Sequence, residues 1–251
     1  MTRIRLAADI GGTFTDIALE TPDNLHTTKV LTTPQEPATA VLQGIEDVLI
    51  EAKLLASDVD VFVHGTTLAT NALIERSGAV TALLTTAGMR DSVEMAHENR
   101  FEQYDLAMTR PEPLVPRDLR FGIPERLDST GRVLRDLEIS ELEESIRAMK
   151  ESAVESVAIG FLHSYMNAEH EQRAADFVRA HWPDVAISLS SEVCPEIREY
   201  ERLSTTCANA YIQPLLTRYL EDLESRRRSL GMTCPMLLMQ SGGGLGTLED
   251  A

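Results

Sequence analysis

Eight consecutive residues near the N-terminus carry the side chains best suited to chemistry. They read Asp9-Ile10-Gly11-Gly12-Thr13-Phe14-Thr15-Asp16. Glycines leave no Cβ to hold an anion away from the backbone and allow positive φ, so successive N–H groups can converge on a phosphate. The hydroxyls of Thr13 and Thr15 can add hydrogen bonds. The carboxylates of Asp9 and Asp16 repel phosphate unless Mg²⁺ or its waters lie between. These residue types predict a binding site for phosphate and a water-linked Mg²⁺.

The flanking residues predict the hairpin that must hold this segment. Apolar residues alternate with polar or small ones from Ile4 to Ile10, and an apolar pattern resumes from Phe14 to Leu19. This is typical of two antiparallel strands joined by a tight Gly-Gly turn. Such turns also occur in ordinary hairpins. The threonines and the two aspartates are what favour a phosphate site over an ordinary turn.

The hydrophobic pattern along the chain predicts an α/β protein. The first part reads β-β-β-α-β-α-β, an antiparallel meander that continues as a parallel sheet. After the hairpin, further strands are predicted at 25–31, 59–63 and 80–85. One helix is predicted to begin at Pro37 and another to cover residues 68–76. Residues 99–136, rich in Pro, Arg and Asp with only short strand-like pieces, are interpreted as an inserted polar excursion or subdomain. Later strands are predicted at 154–162, 185–189 and 236–239, and helices at 140–150, 169–180 and 205–230, the last bent or restarted at Pro214.

Polar side chains also follow the predicted strand at 59–63. His64, Thr66 and Thr67 come at its carboxyl end, where ligands gather in α/β sheets, and they open a helix whose N-terminus attracts anions. Asn71 lies one turn inside that helix. These four residues are candidates for a ligand cleft. The alternative is that these residues only end the strand and begin the helix, with a threonine as N-cap and a buried Asn71 amide that is hydrogen-bonded to the backbone.

Three charged residues further along are weaker candidates. Arg90 and Asp91 follow the strand at 80–85 and could touch substrate, although a salt bridge between lobes explains them as well. Arg100 could bind a substrate carboxylate with its planar guanidinium, but an ordinary surface charge is the stronger alternative.

His163 and His170 are better explained as packed or capping histidines than as metal ligands. Residues 196–202 read as a solvated, self-paired helix start rather than as catalytic carboxylates.

Composition excludes several classes of function. The 251 residues contain 23 Lys and Arg against 40 Asp and Glu, a net charge of −17, which argues against nucleic-acid and anionic-membrane surfaces. No apolar run reaches the length of a membrane span. The three cysteines are far apart and lack CxxC spacing, which predicts reduced thiols and a cytoplasmic protein.

Ordered motifs along nearly the whole chain resemble the hydantoinase A/5-oxoprolinase family. Besides residues 9–16 they are His64-Gly65-Thr66-Thr67, Ala69-Thr70-Asn71-Ala72, Thr85-Thr86-Ala87-Gly88, Arg90-Asp91, Asn99-Arg100, Tyr104-Asp105-Leu106, Glu125-Arg126-Leu127-Asp128, Phe161-Leu162-His163-Ser164-Tyr165, His170-Glu171, the run from Pro195 to Arg202, Asn209-Ala210-Tyr211 and Gln240-Ser241-Gly242-Gly243-Gly244. The resemblance implies an actin/hexokinase/Hsp70-like ATPase lobe, which is ribonuclease H-like. It also implies ATP bound with Mg²⁺ at residues 9–16, with Gly11, Gly12 and Thr13 cradling the phosphates.

The implied reaction is ATP-dependent hydrolysis of a cyclic amide of the 5-oxoproline or hydantoin type. An ATPase-type subunit of an acetone- or acetophenone-type carboxylase is a second enzymatic alternative, and a sugar kinase ranks low. Family members are much longer, so the expectation is an N-terminal ATPase-type domain at 1–180 and a truncated core domain at 181–251. The C-terminal lobe and a B-type subunit are the implied partners. A catalytically silent fragment is the alternative that is not an enzyme.

Overall fold

A computed structural model describes residues 3–33, 35–97, 102, 104–109 and 111–247. The chain divides into two units, one formed by Met1–Glu75 with Leu215–Ala251 and the other by Arg76–Pro214. Among the helices in these ranges, none is both long and apolar enough to cross a membrane. The domain limits predicted from the sequence, 1–180 and 181–251, remain a prediction.

The first unit is a six-stranded sheet with helices on one face. Its elements, numbered in chain order, are β1 (Arg5–Ile10), β2 (Phe14–Glu20), β3 (Leu25–Leu31), α1 (Pro37–Ala52), β4 (Val61–Thr66), α2 (Leu68–Glu75), β11 (Met236–Met239) and β12 (Leu245–Gly246). The strand order is β12-β11-β4-β1-β2-β3. The strands β1, β2 and β3 pair antiparallel, whereas β4 runs parallel to both β1 and β11. This mixed sheet confirms the predicted α/β fold class.

Strand alternation gives this sheet two different faces. The helix α7 (Glu199–Ser229) spans the boundary between the units, and its second half joins α1 in the core of the first unit. Leu6, Ile17 and Phe62 lie in this core. Because neighbouring strand residues point to opposite faces, Ala7, Asp9 and Asp16 lie on the other face. All three are exposed. The sheet therefore presents an open face beside the Gly-Gly turn.

The second unit is built on a four-stranded parallel sheet. Its elements are β5 (Thr81–Thr86), α3 (Ser92–Met95), β6 (Arg120–Ile123), β7 (Arg126–Leu127), β8 (Val133–Arg135), α4 (Ile139–Glu151), β9 (Ser156–Gly160), α5 (Glu169–His181), β10 (Ala186–Leu189), α6 (Ser190–Val193) and the first half of α7. The order is β10-β9-β5-β6, and every pair is parallel. The short strands β7 and β8 form a separate hairpin. Apolar side chains of this sheet, α4 and α5 form one core.

Two expectations about the elements need correction, whereas the short strands expected within residues 99–136 are present as β6, β7 and β8. The predicted sheet continued through the strand after α2, but β5 belongs to the second sheet, where it pairs with β6, and β11 takes the place beside β4. The long helix begins at Glu199 rather than near residue 205 and continues through Pro214 without a break.

Candidate functional site

The Gly-Gly turn connects β1 to β2 as predicted. Ile10 pairs with Thr15, and the Gly11 N–H donates to the Phe14 carbonyl at 2.9 Å. Gly12 and Thr13 are exposed at the tip. Neither of their N–H groups has a hydrogen-bond acceptor among the residues that the structure describes. Two free backbone donors therefore face solvent at this turn.

Close approach, rather than positive φ, explains the two glycines. Positive φ occurs at four described glycines, and Gly11 and Gly12 are not among them. A Cβ on Gly11 would lie 3.1 Å from the Phe14 carbonyl oxygen, and one on Gly12 would lie 3.2 Å from Asn71 Nδ2. Both distances are tighter than ordinary carbon contacts. The positive φ that glycine allows is thus not used, and the missing Cβ atoms leave room for the Phe14 carbonyl at Gly11 and for the Asn71 amide at Gly12.

Thr15 faces the interior rather than the tip of the turn. It is fully buried, and its hydroxyl oxygen lies 3.0 Å from the Thr32 hydroxyl oxygen. Thr32 Oγ1 in turn donates to the Gly11 carbonyl at 2.9 Å. Thr15 is therefore linked to the turn by hydrogen bonds through Thr32. Its direct contact with phosphate remains a prediction, and this geometry does not favour it. Sequence reasoning missed Thr32, because a threonine at a strand end carries no distinctive signal.

A row of four residues crosses the open face of the sheet beside the turn. The register places Gly65, Asp9, Asp16 and Lys29 side by side on β4, β1, β2 and β3. Lys29 Nζ lies 3.0 Å from Asp16 Oδ1. The Asp9 carboxylate has no hydrogen bond or ion pair with any described residue. A Cβ on Gly65 would lie 3.0 Å from Asp9 Oδ1, so Gly65 leaves room for that carboxylate. The two aspartates are thus not equivalent.

The open face forms a groove of about 670 Å³ around this row. Its lining includes Ala7, Ala18 and Val63 beside the charged residues. Within the described parts of the chain, no cluster of three or more His, Cys, Asp or Glu side chains is placed to hold a metal ion. A cation at Asp9 would therefore need most of its ligands from water or from a bound molecule, as Mg²⁺ usually does.

Thr67 and Asn71 reach the end of β1 and the turn from the start of α2. Thr66 Oγ1 accepts the Leu68 N–H at 3.1 Å, so it satisfies the first N–H of α2. Thr67 donates through its N–H and its hydroxyl to the Ile10 carbonyl, at 3.1 and 3.2 Å. Asn71 Nδ2 lies 3.4 Å from Thr67 Oγ1. These contacts fix the end of β1, and the Asn71 amide lies against Gly12.

His64 lies on the opposite, helix-covered face of the sheet. It is fully buried, with Nδ1 3.1 Å from the Ala8 carbonyl oxygen and Nε2 2.7 Å from the Tyr219 hydroxyl. A carbonyl can only accept, so Nδ1 carries the proton and Nε2 accepts from Tyr219. Burial lowers the pKa of His64 from 6.5 to about 4, although the Ala8 carbonyl opposes the shift. The imidazole is therefore neutral at pH 7 and links β4 to β1 and α7.

The remaining candidates belong to the second unit or lie outside the described residues. Arg117 forms a bidentate salt bridge with Asp91, with N···O distances of 2.9 and 3.1 Å. The hydrogen bond from Arg117 is the main cause that lowers the pKa of the Asp91 carboxyl. Arg90 is exposed. Arg100 lies outside the described residues. The structure does not gather Arg90 and Asp91 into the same unit as the glycine turn.

The second unit has its own buried polar network at the carboxyl ends of its strands. Glu125 accepts from the Thr86 hydroxyl, and its Oε2 lies 2.8 Å from His170 Nδ1. Glu171 accepts from the N–H groups of Phe161 and Ser191 and from the Ser190 hydroxyl. Both carboxylates are almost completely buried and hydrogen-bonded. His170 is thus a packed histidine, as expected from the sequence.

Two other residues of this unit differ from simple surface groups. His163 has a φ of 59° and a buried Nδ1 without a hydrogen-bond partner among the residues described. Arg202 is fully buried in the first turn of α7 and donates to the carbonyls of Glu196 and Phe161. The prediction of a solvated helix start is therefore wrong at Arg202. Backbone carbonyls can replace water as hydrogen-bond acceptors for a guanidinium that is buried.

Comparison of the chain with sequence profiles and known proteins shows the family to which it belongs. A profile of the hydantoinase/oxoprolinase N-terminal region matches residues 5–182, and a hydantoinase/oxoprolinase profile matches residues 202–251. The caprolactamase subunit alpha of Pseudomonas jessenii is 39% identical over 249 residues, which cover 96% of this chain and 36% of that protein. The crystal structure of the ATP-dependent caprolactamase from the same organism superposes with a TM-score of 0.88 and 38% identity, over 96% of this chain and 36% of that one.

Two further relatives are more distant. The 5-oxoprolinase of Saccharomyces cerevisiae is 30% identical over 287 residues, covering 96% of this chain and 22% of its own length. The acetophenone carboxylase gamma subunit of Aromatoleum aromaticum is 29% identical over 253 residues, covering 94% of this chain and 35% of its own. The chain thus spans little more than a third, or less, of the length of these relatives. The resemblance seen in the sequence motifs is confirmed: the chain belongs to the hydantoinase/oxoprolinase family.

Proposed function

We propose that this chain supplies the first phosphate-binding lobe of an enzyme that uses ATP to hydrolyse a cyclic amide. The observation that carries the proposal is the pair of unpartnered N–H groups of Gly12 and Thr13, three and four residues along the same hairpin from the unpaired Asp9 carboxylate. Backbone donors suit the phosphate oxygens, and the carboxylate suits the cation that accompanies them. The similarity to an ATP-dependent caprolactamase and to 5-oxoprolinase supports the same chemistry.

The residues of this lobe fit a Mg²⁺–nucleotide in unequal ways. Gly12 and Thr13 would hold the phosphates, and Asp9 would hold Mg²⁺ through water. Asp16 is already paired with Lys29, so it would orient the row rather than enter the metal shell. Asn71 and Thr67 would hold the turn in place from α2. Bound ATP would supply the phosphoryl group that converts an amide oxygen into a better leaving group. The chain's own residues contribute positioning and charge neutralisation.

Substrate and partners form the finer part of the proposal. A lactam or related ring amide is the favoured substrate class, since caprolactamase and 5-oxoprolinase are both named for such substrates. Two relatives are named as subunits, which supports assembly with a second subunit, here proposed to be of the B type. The chain covers 36% and 35% of these relatives, which supports a further C-terminal lobe as a partner in the proposed cytoplasmic enzyme. The acetophenone carboxylase relative supports the alternative of a ketone carboxylase subunit. The residues of this lobe do not distinguish the two reactions.

Calorimetric titration with ATP, with and without Mg²⁺, tests the nucleotide site. We expect Mg²⁺-dependent binding to the 251-residue chain. Gly12→Val should weaken it at least tenfold, because the added carbons would press on Asn71 and cover the free amides. Asp9→Asn should remove most of the benefit of Mg²⁺ while leaving binding of free ATP nearly unchanged. Absence of Mg²⁺-dependent binding, or unchanged affinity in both variants, would contradict the proposal and favour a silent fragment.

The substrate class needs the assembled enzyme. Coexpression with a B-type subunit and with the C-terminal lobe should yield phosphate release from ATP that depends on an added lactam or oxoproline. Phosphate release that depends instead on a ketone together with bicarbonate would establish the carboxylase alternative. The chain with Gly12→Val, coexpressed in the same way, is the matched negative control for both assays.

A further inference from the structure

We infer that Thr32 is a positioning residue that sets the phosphate turn through a directed chain of hydroxyl groups. Thr32 Oγ1 donates to the Gly11 carbonyl oxygen at 2.9 Å, and Thr32 N–H donates to the Thr13 carbonyl oxygen at 2.9 Å. A single residue just after β3 therefore holds the carbonyls on both sides of Gly12. This inference rests on the proposed nucleotide function and deepens it.

The direction of the hydroxyl chain follows from proton counting. A hydroxyl has one hydrogen to donate, and Thr32 gives its hydrogen to the Gly11 carbonyl. The 3.0 Å contact between the two hydroxyls must then be a donation from Thr15 to Thr32. Thr15 is fully buried, and its only proton is used in this contact. Thr15 thus supports Thr32, and Thr32 supports Gly11. Neighbouring hydrogen bonds of this kind strengthen one another.

The held carbonyls orient the free donor of the turn. In a trans peptide the C=O and the following N–H point in opposite directions. The Gly11 carbonyl points to Thr32, so the Gly12 N–H points away from β3. That N–H has no acceptor within the described part of the chain. An amide fixed in this direction before binding loses less entropy when it meets a phosphate oxygen. Thr32 therefore acts on the ligand through the backbone, without touching it.

The test compares five variants in the 251-residue chain. Thr32→Val removes the hydroxyl at nearly constant shape, whereas Thr32→Ser keeps it. Thr15→Val removes the first donor, and a double variant combines the two valines. Thr28→Val is the matched control, because Thr28 lies four residues earlier, within β3, is half-buried like Thr32, and has no partner for its hydroxyl among the described residues. Thermal unfolding of each variant checks that the fold is kept.

Calorimetry should rank these variants by affinity for Mg²⁺–ATP. We expect about a tenfold loss for Thr32→Val, and changes within about threefold for Thr32→Ser and Thr15→Val and about twofold for Thr28→Val. The double variant should be no weaker than Thr32→Val alone, because both changes break one chain. Wild-type affinity in Thr32→Val would overturn the inference. A loss in Thr15→Val larger than that in Thr32→Val would also overturn it, since Thr15 would then act on the site by a route that does not pass through Thr32.

A second measurement separates this inference from the nucleotide proposal. Without ligand, the amide chemical shifts of Gly12 and Thr13 should change in Thr32→Val and stay close to wild type in Thr28→Val. If wild type fails to bind Mg²⁺–ATP, the nucleotide proposal fails while these shifts still decide the role of Thr32. If wild type binds and the shifts of Thr32→Val match those of Thr28→Val, the positioning role is wrong and the nucleotide proposal stands.

Discussion

At the scale of single residues, the two aspartates of the glycine segment have different surroundings. Asp9 and Asp16 lie directly opposite each other on β1 and β2. Like charges in this arrangement repel by about 0.2–1 kcal/mol. Lys29 balances Asp16, and no cation among the described residues balances Asp9. The native pair therefore carries an electrostatic cost that a bound cation would relieve.

This asymmetry predicts opposite effects of Asp9→Asn on stability and on metal dependence. The free energy of unfolding should rise by about 0.5 kcal/mol, because the repulsion is removed. The benefit of Mg²⁺ for ATP binding should be lost in the same variant. Asp16→Asn is the control and should give no stabilisation, because it also removes the ion pair with Lys29. Urea unfolding in low-salt buffer without Mg²⁺ measures the effect, and a destabilised Asp9→Asn variant would contradict it.

His64 predicts a dependence of stability on acid. Its pKa is about 4 in the fold against an ordinary 6.5, so between these values the unfolded chain binds more protons than the folded one. The contribution of neutral His64 is therefore complete above pH 6.5 and is lost as the pH falls towards 4. Its size is on the order of 3 kcal/mol. Removing the titrating group with His64→Asn should flatten the slope of stability against pH in this range.

Imidazole ¹⁵N spectra provide the direct check on His64. The spectrum should show one tautomer, with the proton on Nδ1, that persists down to about pH 5. Titration of His64 near pH 6.5 would contradict the buried, neutral assignment. Strand parity could have revealed this position from the sequence, because His64 is two residues from the core residue Phe62. The position of Asp9, Gly12 and Thr13 in and beside a hairpin turn was predictable, because the glycines lie between two alternating segments. The role proposed for Thr32 was not predictable, since it depends on a contact made across strands.

At the scale of elements, the sequence predicted local structure better than the pairing of distant strands. The limits of β3 and β11 are the predicted ones, because turn residues lie next to both segments. The sheet to which β5 belongs was not predictable. A strand buried on both faces has no alternation that specifies its neighbour. The place beside β4 is filled instead by β11, which follows β4 by about 170 residues along the chain.

The close contact of α1 with the sheet predicts that Gly44→Ala is destabilising. A Cβ at this position would lie 2.5 Å from Ile17 Cγ1 and 3.1 Å from Val30 Cγ2. Alanine improves helix propensity by about 0.5–1 kcal/mol, but overpacking costs about 1–3 kcal/mol. We expect a net loss of about 1 kcal/mol in urea unfolding. Glu46→Ala, at an exposed position of the same helix, should change stability by less than about 0.5 kcal/mol. A stabilised Gly44→Ala variant would contradict this prediction, because the Ile17 and Val30 side chains would then move to accommodate the added methyl group.

At the scale of the whole molecule, the net charge of −17 shapes how an anionic ligand is bound. The field of the chain repels nucleotides, so the proposed site relies on local backbone donors and a cation rather than on a basic surface. This division of roles was predictable from composition and the glycine motif together. Composition does not predict that the chain divides into two units. The return of the chain to the first sheet at β11 depends on tertiary packing.

The charge predicts an unusual salt dependence of ATP binding. Raising ionic strength from about 20 mM to about 200 mM screens the repulsion between the acidic chain and the nucleotide. The affinity for Mg²⁺–ATP at constant free Mg²⁺ should therefore rise or stay level over this range. Basic anion sites behave in the opposite way, since salt weakens their attraction. An affinity that falls steeply with salt would indicate that cationic side chains hold the phosphates.

The central claim is that Gly12 and Thr13 bind the phosphates of a Mg²⁺–nucleotide. The most direct measurement is the change in amide ¹H–¹⁵N shifts of the chain during titration with Mg²⁺–ATP. We predict that the amides of Gly11, Gly12 and Thr13 shift progressively to saturation, and that Asp9→Asn abolishes the part that depends on Mg²⁺. Saturable binding that leaves these three amides unshifted would contradict the claim.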